Sequence, residues 1–174
     1  MTFDEIYIKY SKLVFNLALQ YVQQKEDAEE ISQDVFVAVY KSVKDFQFKS
    51  DLQTWIYRIT INKSLDFIKS KNRKKRFAFI TSLFQDEQNE IYISSQDFDH
   101  PGILMEQKEA IQKIFQDINS LPDTQKTVII LSKIEQKSQK EVAEIMNLSI
   151  KAVESLLQRA KINLKNKVNS NEGK

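Results

Sequence analysis

Cysteine is absent from this 174-residue chain, and glycine and proline occur only twice each. The first absence excludes disulfides and thiolate metal sites. The second argues against a sheet protein, whose many turns draw on glycine and proline. A single histidine, His100, has no second ligand or nucleophile motif near it, so it reads as a connecting residue rather than a catalytic base. Gly-rich phosphate loops are missing as well. Paired carboxylates such as Glu29–Glu30 lie in a charge-rich helix start, not in a site. No apolar run approaches the ~20 residues of a membrane span. The first ten residues, MTFDEIYIKY, are acidic and amphipathic, unlike a secretory signal. The expectation is a cytoplasmic, all-α, non-enzymatic protein with no metal, no cofactor, no small-molecule substrate and no membrane insertion.

Charge is present in quantity but is segregated. The net charge is +2, yet residues 1–40 carry −4 and residues 41–76 carry +8. Residues 77–107 hold six acids and no Lys or Arg, whereas residues 108–174 carry +4. Two basic blocks separated by a purely acidic one suit two polyanion-binding modules joined by a linker.

Apolar spacing fills in the elements. Phe3, Ile6, Tyr10, Leu13, Leu17 and Tyr21 recur at three or four residues, which predicts a helix. Ala28, Ile31, Val35, Val39 and Val43 predict a second, opening at the acidic EDAEE. DFQFKS breaks the pattern, and Ser50 with Gln53 reads as a capping box for a third helix. The apolar residues of that helix spread over more than one stripe, so it is expected to pack on two sides and to end in KSKNRKKR. From Phe77 to about His100 periodicity is lost, which reads as a linker. Helical pattern returns at Met105, Ile111, Ile114, Phe115 and Ile118, and Pro122 suits the start of a further helix over DTQKTVIILSKI.

The sharpest motif is EVAEIMNLSIKAVESLLQRAK, residues 141–161. Ser138 with Glu141 forms a capping box before it, and Val142, Ile145 and Met146 give its first helix an inward face. Asn147 stands where the chain reverses and tolerates the left-handed conformation, and Ser149 can cap the second helix. Val153, Leu157, Ala160 and Leu164 form a buried stripe, leaving Lys151, Glu154, Ser155, Gln158 and Arg159 outward. A helix held by its back with polar residues at its N-terminal end can enter a major groove. An ordinary helical hairpin is the alternative.

The second motif is KSKNRKKR, residues 69–76, six of whose eight residues are cationic. Arg58, Asn62, Lys63 and Asp66 precede it, with Phe46 and Phe48 in the loop before the helix. Cations beside aromatics suit single-stranded nucleic acid, where phosphates pair and bases stack. A solvated helix end is the plainer reading, and Trp55 reads as core because large aromatics dominate cores.

Taken in order, DAEEISQDVFVAVYK, LQTWIYRITINKSLDFIKSKNRKK and LPDTQKTVIILSKIEQKSQKEVAEIMNLSIKAVESLLQRAKINL resemble three segments of the extracytoplasmic-function sigma factors of the sigma-70 family. They match its polymerase-binding helix, its promoter-melting and minus-ten helix, and its minus-thirty-five helix–turn–helix. The resemblance implies two small helical domains, a region-two domain over 1–76 and a region-four domain over 105–170, joined by a flexible acidic linker over 77–104. It implies core RNA polymerase and promoter DNA as partners, and an anti-sigma factor besides. On the matching positions it places Asp27, Glu30, Gln33, Asp34 and Phe36 against polymerase. It places Lys44, Phe46, Phe48, Lys49, Arg58, Asn62, Lys63, Asp66, Lys69, Lys71, Arg73, Lys74 and Arg76 on minus-ten DNA. It places Ser149, Lys151, Ala152, Glu154, Ser155, Gln158, Arg159 and Lys161 on the upstream element. Gln136 and Asn147 stand where the family often has glycine, and Glu154 and Leu156 where it often has a basic residue and arginine. Fewer cations weaken nonspecific phosphate affinity there. The rival readings are a stand-alone helix–turn–helix regulator, which needs a dimer seam or ligand pocket that the sequence does not display, and a helical adaptor binding protein only.

Overall fold

A computed structural model describes residues 2–46, 51–84 and 105–172, and these are helical throughout apart from short connections. Helix α1 spans Phe3–Val22. The Thr2 hydroxyl accepts from the Glu5 amide while the Glu5 carboxylate accepts from the Thr2 amide, so two orphan donors at the helix start are satisfied. At its other end Gln23 turns left-handed at φ 60°, and its side-chain amide donates to the carbonyls of Leu19 and Gln20. Helix α2, Lys25–Ser42, starts with Glu26 and Asp27 in its first turn, where carboxylates favour the positive helix end. It continues into a 3₁₀ turn, Val43–Asp45.

Helix α3 runs Leu52–Phe84, eight residues beyond Arg76. The expected break at KSKNRKKR is therefore absent: residues 77–84 are helical, and residues 85–104 of the expected linker, with His100, lie outside the described residues. The loss of periodicity at Phe77 does not mark the end of the helix. The start is capped by Asp51, whose carboxylate accepts from the Gln53 amide at 3.2 Å; Ser50 lies outside the described residues. Thr60 and Ser64 are fully buried in α3, and their hydroxyls donate back to the carbonyls of Ile56 and Thr60, which removes the cost of burying them.

Helix α4, Met105–Asn119, leads to α5, Asp123–Ile129, which widens into a π-helical stretch, Ile130–Ile134. The Glu135 amide accordingly bonds the carbonyl of Ile130, five residues back, at 2.9 Å. Helix α6, Gln139–Met146, carries the expected Ser138–Glu141 capping box, and α7, Ile150–Glu172, follows after the three-residue turn. Both departures from glycine are real left-handed positions: φ is 53° at Gln136 and 54° at Asn147.

Two hydrophobic clusters hold these helices. Ile6, Tyr10, Val14, Ala28, Ile31, Val35, Val39 and Ile56 form the core of the α1–α2–α3 unit. Leu17 and Tyr21 of α1 and Tyr57 and Ile61 of α3 belong instead to the second cluster, with Ile118, Val128, Leu131, Val142, Ile145, Val153 and Ala160. The two-sided packing expected of α3 thus arises because its second side faces the carboxy-terminal half. The second cluster thus draws on both halves of the chain.

Gln136 is exposed and pays for its left-handed backbone without glycine's freedom. Gln136→Gly should stabilise the chain by about 0.5–1 kcal/mol, the difference between removed strain and added unfolded-chain entropy. Urea unfolding measures it; an unchanged or lower midpoint would show that the Gln136 side chain makes up for the strain.

Candidate nucleic-acid interface

Three surfaces take shape on this frame. The first is the outward face of α2. Glu30, Gln33 and Asp34 are exposed there. Asp27 is not free: its carboxylate pairs with the Lys71 ammonium, which also donates to Gln24 Oε1 at 3.0 Å. Phe36 is 7% exposed and packs edge-on against Phe3 and Tyr7, so it supports the face from behind. Val37 and Tyr40, exposed at 52% and 63%, share the face of Glu30, Gln33 and Asp34 by their three- and four-residue steps. Their signal was present in the sequence: two apolar residues off the buried stripe Ile31, Val35, Val39.

The second surface is α3 with the loop before it. Lys44 is exposed, and Phe46 is half-buried with its ring 4.8 Å from that of Trp55. Phe48 and Lys49 lie outside the described residues. Asn62, Asp66, Lys69, Arg73, Lys74, Lys75 and Arg76 are exposed, and Lys63 is half-buried. Three of the expected cations are engaged within the protein. Lys71 is held by Asp27, and Arg58 donates to the carbonyls of Ile145 and Glu144 at 3.2 and 2.5 Å, at the C-terminal end of α6. Lys69 lies 3.5 Å from Asp123. The side chains expected to contact one DNA strand are therefore divided, with Arg58 turned to the helix–turn–helix and the cationic end of α3 left open.

The third surface is the N-terminal part of α7. The Ser149 hydroxyl accepts from the Ala152 amide at 3.2 Å, which starts the helix. Ala152 is half-buried, and Lys151, Glu154, Ser155, Gln158, Arg159 and Lys161 are exposed along the first three turns. Val153 and Ala160, fully buried, fix which side they face. Asn163 donates to Gln125 at 2.8 Å and ties α7 to α5.

Burial raises the Tyr21 and Tyr57 phenols well above their ordinary range, so both keep their protons and act as donors. Burial lowers the Lys126 ammonium, offset by Asp123 at 4.0 Å. Among the described residues no group of three or more His, Asp or Glu side chains is placed to hold a metal ion, and no helix is long and apolar enough to cross a membrane.

Comparison with known proteins bears on this arrangement directly. The family described as Sigma-70 region 2 matches residues 6–74, and that described as Sigma-70, region 4 matches residues 112–164. The chain belongs to the sigma-70 family, in its extracytoplasmic-function branch. Similar proteins include the ECF RNA polymerase sigma-E factor of Haemophilus influenzae, 29% identical over 95% of this chain and 87% of that protein. The RNA polymerase sigma-H factor of Pseudomonas aeruginosa is 25% identical over 91% of this chain and 82% of its own length. In fold, the chain is similar to CnrH, solved with the cytosolic domain of CnrY, at TM-score 0.66 and 20% identity, covering 97% of this chain and 88% of that one. It is also similar to the sigma factor RpoE of Bartonella quintana, solved with the anti-sigma factor NepR, at TM-score 0.65 and 20% identity, covering 96% of each. As a sigma factor it binds core RNA polymerase, directs promoter recognition and initiates transcription, and it is not an enzyme.

The capping box that opens the helix–turn–helix gives this sigma factor a pH signature. The Ser138 amide and hydroxyl both donate to Glu141 Oε2 at 2.8 Å, with Lys137 on the other oxygen, and they hold the Glu141 carboxyl below its ordinary value. A carboxyl depressed in the folded state stabilises it at every pH above the ordinary glutamate range of about 4.3, and that contribution fades as pH falls through the depressed value. Glu141→Gln should therefore flatten the loss of stability on the acid side of pH 5, measured by thermal unfolding between about pH 3 and 6. An identical acid limb in the variant would mean that the box does not carry it.

Proposed function

We propose that this sigma factor divides its work among the three surfaces. The exposed face of α2, Glu30, Gln33 and Asp34 with Val37 and Tyr40, docks on core polymerase. The loop from Lys44 and helix α3 take the minus-ten strand, with Arg58, Asn62, Lys63 and Asp66 along it and Lys69, Arg73, Lys74, Lys75 and Arg76 on phosphates. The start of α7 enters the upstream element, where Lys151, Ser155 and Gln158 meet base edges and Glu154 accepts from a cytosine amino group while repelling phosphates. Asp27 and Lys71 act as a clasp between α2 and α3, which joins the polymerase face to the DNA helix. Residues 1–76 form the region-two domain and 105–170 the region-four domain, with α3 reaching into the joining segment 77–104. The work is done in the cytoplasm, and an anti-sigma factor, like the one solved with RpoE of Bartonella quintana, is a fitting regulator. The observation that carries the reading is the separation of one acidic and apolar exposed face from two cationic exposed ones.

Asp34→Lys combined with Tyr40→Ala should weaken binding to core polymerase by roughly tenfold, about 1.4 kcal/mol, without changing the helical circular dichroism. Asp34 is exposed, and Tyr40 is 63% exposed although its ring meets that of Phe3 edge-on at 5.2 Å, so the circular dichroism serves as the control for the fold. Equal capture of polymerase by variant and wild type would remove α2 from the interface.

Replacing Arg73, Lys74, Lys75 and Arg76 by Ala should reduce the salt dependence of promoter binding by holoenzyme. Each lost contact to a single strand lowers the slope of log affinity against log salt by about 0.7. A slope equal to that of the wild type would assign these residues to solvation of a helix end.

A further inference from the structure

One exposed apolar side chain at the start of α7 is not accounted for by the fold. Residues 147–151 are all exposed, and two of them, Leu148 at 38% and Ile150 at 46%, are large and apolar. Leu148 serves the turn. Its amide donates to the Ala143 carbonyl at 2.9 Å across the left-handed Asn147, a closure that apolar residues commonly accompany. It also precedes the Ser149 cap, from where an apolar side chain can steady the start of a helix against its fourth residue, here Val153. Ile150 is the first residue of α7 and belongs to neither hydrophobic cluster. It caps nothing, and a carboxylate at that end of the helix would suit the dipole better.

Its neighbours give it a task. The bond from the Ala152 amide to the Ser149 hydroxyl and the full burial of Val153 fix the rotation of the first turn. Ile150 and Glu154 then stand in one row, four residues apart, with Lys151 and Ser155 in the next. All four are exposed, and no acid in the first turn repels a phosphate. In a major groove the two pyrimidines differ: cytosine shows an amino donor and thymine a C5 methyl group. Glu154 suits the first. Ile150, which can neither donate nor accept a hydrogen bond, suits only the second. We infer that Ile150 reads a thymine methyl in the upstream element, within about two base steps of the cytosine that meets Glu154; α7 rises about 6 Å from one residue to the other, against about 3.4 Å per base step. The inference rests on the entry of α7 into the upstream element proposed above.

The contact acts on specificity. Nearly half of Ile150 stays in water in the free protein, and that apolar surface is removed from water only against DNA. Phosphate contacts by Lys and Arg carry no sequence information, and their strength falls with salt. An apolar contact to a methyl group tells thymine from cytosine, and it releases no counterions. Its share of the affinity is therefore the same at low and at high salt.

The test uses holoenzyme assembled with core polymerase and a promoter library randomised in its upstream element. The best-bound sequence is remade with uracil in place of each thymine in turn, which removes the methyl group and keeps the base pairing. Uracil at one or two positions should weaken wild-type binding roughly three- to fivefold, the value of one methyl group removed from water, and equally at low and high salt. The same uracils should leave the binding of Ile150→Ala holoenzyme unchanged, while Ile150→Val, which keeps the branched carbon, should retain most of the effect. Wild-type binding indifferent to every uracil, or a selected element without thymine, overturns the inference with no substitution in the protein. A uracil effect that persists in Ile150→Ala gives the methyl group to another side chain and overturns it too. A library from which wild-type holoenzyme selects no upstream sequence overturns the entry of α7 itself, so failure of that reading is told apart from failure of this one.

Discussion

Glu135 is the carboxylate on which the relation between the two halves turns. It is reached by the Gln20 amide and the Tyr57 hydroxyl, both from the amino-terminal unit, and it is aimed by a π-helical stretch in its own half. An α-helical continuation of α5 would rotate Glu135 about 100° around the axis for each residue of register lost, away from those donors. The π-helical hydrogen bond from Glu135 to Ile130 is thus a local departure with a tertiary consequence. Burial of Tyr57 keeps its hydroxyl protonated and able to donate. Around this polar centre Leu17, Tyr21, Tyr57 and Ile61 complete the hydrophobic cluster of the other half.

The same economy recurs in the functional surfaces. Asp27 and Lys71 were expected on different partners, polymerase and DNA, yet they pair with each other across α2 and α3. Arg58 was expected on DNA and caps α6. Long cationic side chains reach whichever carboxylate or carbonyl end the packing brings near, so a cation's position in the sequence fixes its helix but not its partner. The residues left open are those on faces that no helix covers: Glu30, Gln33 and Asp34 on α2, Arg73 to Arg76 on α3, and Lys151 to Arg159 on the outer side of α7.

Much of the architecture was legible locally. The Ser138–Glu141 box, the left-handed Asn147, the Ser149 cap and the inward stripe from Val153 to Ala160 all depend on residues within a few positions of one another. The spread of apolar residues on α3 also foretold two packed sides. The end of α3 was not legible because the run from Lys69 to Arg76 is compatible with solvated helix as well as with a break. Val37 and Tyr40 were passed over because the buried stripe of α2 accounted for its periodicity without them.

By itself the sequence determined an all-helical chain, its caps and turns, and membership of the sigma-70 family through three segments in order. Those properties follow from contacts between near neighbours and from the 3.6-residue period, both written directly in the chain. Tertiary structure alone decided that the halves share a core, that Glu135 meets Gln20 and Tyr57, and that Arg58 is spent on α6. Such contacts join residues from about 80 to more than 110 positions apart, and they depend on side-chain reach and helix register, which no local pattern encodes.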